Sequence, residues 1–230
     1  MLNENYVYYP EQLTGEELDA FLARGWYRMG QSIFTTHFIS LRDEAYRVYW
    51  FRYDLQKLKL GKSIKRLIKL NSQFQVTIRP FELSEELEQL YSLYKTHIDF
   101  EAAQSIHYWL HGDQPANVFD THLVEIRDNR VLVAAGVFDK GHESIAGIMN
   151  FYHPDYKKFS LGKYLMLVKI QYALQAEKKL YYPGYIVHNY PRFDYKLFVD
   201  EQSAEIYLPE TGQWLLFKNA FSNTTGNPLI

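Results

Sequence analysis

Between Leu180 and Lys196 the chain gathers five tyrosines, His188, the cations Arg192 and Lys196, and the carboxylate of Asp194 around a Pro183-Gly184 interruption. These side chains supply a proton acceptor in His188 and cations that can hold a carboxylate. The phenols can pack on one side and stay polar on the other. Pro cannot donate to a sheet ladder, and Gly inside a strand marks a bulge or a close approach by backbone or ligand. A strand built for packing alone needs neither, so the segment reads as the wall of a site more readily than as an edge strand with an aromatic surface.

A second chemical stretch lies far upstream. From Lys57 to Lys69 the chain carries six cations and no acid, with Ser63 among them. Such a run is either a solvated face or a basic loop that holds phosphates through charge-assisted hydrogen bonds. Ser63, Lys65 and Arg66 are the candidates for that grip.

The elements that must position these groups follow from periodicity and punctuation. Met1 to Pro10 is expected to be an extended surface segment. Thr14 with Glu17 fits a capping box for a short helix that stops at Gly25. Trp26 to Phe34 and Tyr46 to Leu55 read as strands of a small N-terminal sheet, and Phe74 to Arg79 as another strand closed by Pro80. Ser84 caps an amphipathic helix whose stripe is Leu87, Leu90, Tyr91, Tyr94 and Ile98, and a further helix is expected over Ala102 to His111. From Thr121 three strands follow in hairpin succession, with Asp128-Asn129 as the first turn. Ser160-Leu161-Gly162 then opens a helix, strand 180–187 comes directly after it, and Ala204 to Leu208 and Gln213 to Phe217 are the last strands. A helix N-terminus after a Gly-containing turn favours anions. Asn219 to Ile230 reads as a frayed tail. The fold class is mixed α+β, divided into an N-terminal region over 1–73 and a larger domain over 74–230.

Composition excludes several chemistries. With 230 residues and 47% hydrophobic content the chain builds a real core. Its net charge of -2 does not announce a nucleic-acid binder, so such binding must come from a local patch. Cys is 0, which removes disulfides, thiolate nucleophiles and cysteine-ligated metal centres together. No apolar run approaches the roughly 20 residues that span a bilayer, and no leader is apparent, so a cytoplasmic protein without membrane contact is expected.

The order strand, Gly turn, helix and interrupted strand resembles the core of the GNAT acyltransferase fold. Acetyltransferases of that fold carry further glycines in the turn to wrap a pyrophosphate, whereas here only Gly162 is present and Tyr164 takes the place of the second. That argues against coenzyme A. A nearer resemblance is to the arginyl- and leucyl-tRNA-protein transferases, the N-end-rule aminoacyltransferases. It rests on Arg24-Gly25-Trp26-Tyr27-Arg28 with Gln31-Ser32, Ser63-Ile64-Lys65-Arg66, Asp120 to Glu125, Ser160-Leu161-Gly162, Tyr182-Pro183-Gly184-Tyr185 and Asp194-Tyr195-Lys196, in the family's order over about residues 20 to 217. The family's N-terminal cysteine cluster has no counterpart, Phe34 to Ile39 standing in its place. Lys65 stands where the family prefers Arg, which weakens bidentate phosphate recognition there.

The resemblance implies attack of a protein's N-terminal amine on the ester that joins an amino acid to tRNA. The amino acid is Arg or Leu and the acceptor begins with Asp or Glu, which marks it for degradation. No cofactor is implied beyond aminoacyl-tRNA as co-substrate. Amides around Asn150 to Tyr152 and Gly184 would lie next to the reacting carbonyl. Tyr182, Tyr185 and Tyr195 are candidates to stack the terminal adenine or line the aminoacyl pocket, His188 to take the amine proton, and Arg28, Arg192 and Lys196 to read the acceptor's carboxylate. Lys196 is the foremost of these beside Asp194-Tyr195, and Asp120 would orient one of the cations. The alternatives are a GNAT acetyltransferase using acetyl-CoA and a non-catalytic member that binds degron or tRNA.

Overall fold

The structure, a computed structural model, describes residues 6–41, 44–112, 117–187 and 190–220. In chain order the elements begin with β1 (Tyr6–Tyr8), α1 (Gly15–Leu22), β2 (Tyr27–Met29), β3 (Ser32–Thr35), β4 (Phe38–Leu41), β5 (Glu44–Asp54), α2 (Lys62–Asn71), β6 (Gln75–Pro80), α3 (Glu85–Lys95) and α4 (Ile106–His111). They continue with β7 (Thr121–Asp128), β8 (Val131–Lys140), β9 (Ser144–Tyr152), α5 (Leu161–Gln175), β10 (Leu180–Tyr182), β11 (Tyr185–Val187), β12 (Ala204–Leu208), β13 (Gln213–Leu216) and α6 (Phe217–Ala220). Two 3-10 segments, Pro154–Phe159 and Pro191–Phe198, flank the middle of this second half.

A ten-stranded sheet in the order β13-β12-β5-β10-β9-β8-β7-β6 dominates, with β4 and β11 also paired to β5. The strands pair antiparallel except β9 with β10, which run parallel because α5 carries the chain back across the sheet. This is the hairpin succession, helix crossover and interrupted strand that the sequence predicts, and the mixed α+β class holds. β5 changes the expected division of the chain. It belongs to the N-terminal region, yet it is an interior strand bonded to β10, β11 and β12, so a boundary at 73/74 does not separate two sheets.

Alternation of side chains across the pleat sets the layers. Val124, Ile126, Ala134 and Phe138 face α5 in the main core, while Leu123, Ala135, Val137 and Phe151 face α3 and α4. Helix α5 is buried almost all round, from Tyr164 to Ile170 without a break, as suits a helix sandwiched between the sheet and α2. α1 and the small β1-β3-β2 sheet cover the remaining part of the face opposite α5, where Trp50, Ala146 and Tyr182 meet Leu18, Leu22 and Tyr27. The predicted caps at Thr14 and Ser84 are both made by their side chains.

The run expected as a basic loop is largely helix α2. Ile64 and Asn71 are buried, Leu67 and Ile68 are half-buried, and the cations occupy the outer face. The apolar spacing i, i+3, i+4 lies beneath the charge run, and packing on α5 decides the outcome.

Candidate active site

The site is a fork in the sheet. β10 lies beside β9 over Leu180 to Tyr182, opposite Ser144 to Ala146, and the pairing then stops. Pro183 has no amide to continue the ladder. Gly184 takes φ of 96°, a conformation open to glycine, and steers the chain onto β5, where its carbonyl accepts from Phe51 N at 2.9 Å. β11 then pairs with β5, Tyr185 opposite Trp50, while β9 continues to Tyr152 against β8 alone. From Gly147 onward β9 has neither β10 nor β11 as a partner, and the two prongs part.

Tyr27 ties the two prongs together at the point where they part. Its hydroxyl lies 2.5 Å from Gly147 O on one prong and 2.9 Å from Tyr182 O on the other. Burial raises its pKa well above the usual phenol value, so it stays protonated and can donate. The sequence points to the motif around Tyr27 without assigning this residue a task.

The second 3-10 segment forms one wall. Lys196, nearly buried, donates from Nζ to Tyr185 O at 2.5 Å, and the rings of Tyr185, Phe193 and Tyr195 surround the amine with centroids at 5.1, 5.2 and 5.8 Å. A Cβ at Gly184 would stand 3.6 Å from the same Nζ. Burial pushes the Lys196 amine down to about 7. Tyr185 stacks on Phe193 at 5.5 Å and meets Trp50 edge-on. Burial first, and then neighbouring hydroxyls, make Tyr94 and Tyr181 harder to ionise, Tyr94 being pushed up to about 12. The wall is fastened to the segment after α3, where Arg192 pairs with Asp99 and lies over the Phe100 ring at 4.6 Å.

A family model described as "Arginine-tRNA-protein transferase, C terminus" matches residues 83–204, the stretch that contains both prongs of the fork and Lys196. The chain belongs to this family. Among curated relatives, the aspartate/glutamate leucyltransferase of Leptospira interrogans serogroup Icterohaemorrhagiae serovar copenhageni is 26% identical over 217 residues, covering 91% of this chain and 82% of the relative. That of Vibrio cholerae serotype O1 (strain M66-2) is 28% identical over 193 residues, covering 82% and 79%. The arginyl-tRNA--protein transferase 1 of Dictyostelium discoideum is 34% identical over 96 residues, 40% of this chain and 15% of that protein. Of solved structures, FemX superposes with a TM-score of 0.47 at 10% identity over 78% of this chain and 63% of FemX, too loosely to bear on the reaction.

The fork gathers only part of the transferase motif residues. Gly184, Tyr185, Tyr195 and Lys196 converge on it, and Asp194 is exposed on the same 3-10 segment. His188 lies outside the described residues. Tyr182 points away, packed against Trp214 and buried under the N-terminal region, so it is a core residue and not a stacking platform. Arg28 is likewise committed. Its guanidinium is buried, pairs with Asp139 at 2.7 Å, and donates to Thr121 Oγ1, Leu110 O and Gly30 O, with Phe119 stacked at 4.3 Å. Asp139 meets its charge and four of its five N–H protons have partners among the described residues, which makes it a structural residue and poorly placed to read a substrate carboxylate. Burial pushes the Asp139 carboxyl up, while Arg28 and Thr121 pull it back. Asp120 forms an exposed ion pair with Lys140 at 2.9 Å and contacts His122 at 3.0 Å, outside the fork.

The turn before α5 also differs from expectation. Ser160 adopts the left-handed conformation at φ of 52°, whereas Gly162 sits within the first helical turn, where a Cβ would stand 3.5 Å from the Tyr152 ring, an ordinary contact. Ser63, Lys65 and Arg66 are exposed on the first turns of α2. Asn71, at the end of α2, donates to Phe159 O and ties that helix to the segment before α5. In the Phe34 to Ile39 stretch, Thr35 and Thr36 donate to Gly25 O and Phe38 O. Among the described residues no cluster of His, Asp and Glu could hold a metal.

Proposed function

We propose that this protein transfers an amino acid, leucine in preference to arginine, from charged tRNA to the N-terminal Asp or Glu of an acceptor protein. The observation that carries the reading is the buried Lys196 amine beside Gly184, where the two strands part. An α-amino group titrates at about 8, and a base at about 7 in hydrogen-bond reach can take its proton. The deprotonated nitrogen attacks the ester carbonyl carbon, a tetrahedral oxyanion forms, the bond to the ribose oxygen breaks, and that oxygen leaves with a proton. The donor ester is already activated, so the chain needs to supply orientation, a base and oxyanion stabilisation, with no cofactor. The exposed cations of α2 provide the local positive patch that a net charge of -2 requires for a tRNA end.

The leucine preference has two supports. The relatives that align with most of this chain are named leucyltransferases. A guanidinium needs a carboxylate partner, and of the acids near the fork Asp139 is taken by Arg28, while Asp194 is exposed. Tyr164, standing where acetyltransferases carry a glycine, is buried in the core, which fits the aminoacyl reading better than one through coenzyme A. Incubation with leucyl- or arginyl-tRNA and peptides beginning with Asp, Glu or Ala tests this by mass spectrometry. A one-leucine gain on the acidic peptides is expected, and no gain from either donor would overturn the proposal.

A further inference from the structure

Lys169 is a cation in the most buried helix of the protein, with none of its side chain exposed. Its Nζ donates to Val137 O at 2.8 Å, Met149 O at 3.2 Å and Asn150 Oδ1 at 2.8 Å. Val137 and Met149 flank the register shift between β8 and β9, where the ladder leaves carbonyls to be satisfied. Space for the amine exists because residue 136 is glycine. A Cβ there would stand 2.8 Å from Asn150 Oδ1 and 3.0 Å from Lys169 Cε. Three acceptors match the three protons of an ammonium, so the arrangement is saturated on the lysine side.

The consequence falls on Asn150. As an ammonium Lys169 only donates, which fixes Oδ1 of the amide inward and turns Nδ2 the other way, and this hold loosens as the amine loses its proton above about 7. Nδ2 carries two protons, and its one partner among the described residues is Gly162 O at 3.4 Å, at the outer limit of a hydrogen bond. Asn150 stands on the β9 prong beyond the last β10 pairing, and it is partly exposed. A donor with spare protons, oriented by a buried cation and placed where the sheet has parted, lacks only an oxygen.

We infer that Asn150 Nδ2 is a hydrogen-bond donor to the carbonyl oxygen of the aminoacyl ester, and that Lys169 is the positioning residue that sets its direction. This rests on the aminoacyl-transfer reading. As the carbonyl becomes tetrahedral its oxygen gains charge, and a preoriented donor holds that charge better than the ground-state carbonyl.

The test is steady-state transfer from leucyl-tRNA to an Asp-initiated peptide by the full chain and its variants. Asn150→Asp keeps the acceptor for Lys169 and removes the donor. It should fold, leave KM for leucyl-tRNA within about threefold, and lower kcat about 100-fold, the effect of losing one oxyanion donor. Lys169→Met should lower kcat less, and combined with Asn150→Asp it should cost nothing further, because it acts through the same amide. Should Lys169→Met fail to fold, Asn150→Asp decides alone. A folded Asn150→Asp with kcat within threefold of the parent overturns the assignment, and a further multiplicative loss in the double variant overturns the positioning role. No transfer by the unaltered protein from either donor overturns the transferase reading and takes this assignment with it.

Discussion

Lys196 and Lys169 are both buried amines brought to about 7, yet their surroundings divide their tasks. Lys169 meets three acceptors, whereas Lys196 meets one carbonyl and three rings and keeps protons to exchange. Lys196→Met preserves the volume against Tyr185 and Phe193 and deletes the proposed base. We expect kcat to fall about 100-fold, within the range for loss of a general base, with thermal stability at pH 7 unchanged or raised because a buried amine is gone. A variant that turns over at the parent rate would remove Lys196 from the mechanism. Sequence alone singles out Lys196, because it stands in a recognisable motif. It passes over Lys169, since a lone cation in a helix ordinarily marks a solvent face. It misplaces Arg28 because the partner Asp139 lies 111 positions away.

At the level of elements, the fork depends on one backbone conformation. Gly184→Ala introduces a side chain at φ of 96°, with room around it but with a conformational cost of about 1–2 kcal/mol. A chain of this size should then melt about 4 °C lower, by differential scanning calorimetry. An unchanged midpoint would mean that the turn relaxes without the glycine. For α2, the double variant Lys65→Ala, Arg66→Ala should weaken tRNA binding and lower the slope of log affinity against log salt by about 1–2, roughly one for each phosphate left without its cation. A salt slope equal to the parent's would make this a solvated face. The strands and capped helices of the fold are legible from alternation and from Thr14 and Ser84. α2 is not, because its Gly61 cap offers no side chain and its charge dominates its apolar stripe.

Across the whole molecule the two buried amines give stability a pH dependence of definite sign. In the unfolded chain they hold their protons to about the ordinary value of 10.5, and in the fold they release them at about 7. Between those values the unfolded state binds more protons, so stability should rise with pH from about 7 toward 10. Below 7 both amines are charged in either state and the full cost of burial remains. Urea denaturation at pH 7, 8 and 9 should show increasing midpoints, and the increase should shrink in Lys196→Met. A flat profile would place both lysines in contact with water. The order of strands on either side of β5 is beyond the reach of sequence, since hydrogen bonding across the sheet joins residues that no local pattern connects.

That position of β5 bears on how the protein is made. An eleven-residue strand holding Tyr46, Tyr49, Trp50, Phe51 and Tyr53 leaves the ribosome early, and the strands that flank it in the sheet do not begin until Leu180 and Ala204. Through most of synthesis it has β4 on one side and no sheet to enter. Pairings so distant in sequence close slowly, and an aromatic strand waiting for them is open to other chains. The fork is completed only when the strands after Leu180 close on β5, so transfer activity should appear late in refolding and its yield should fall as protein concentration rises.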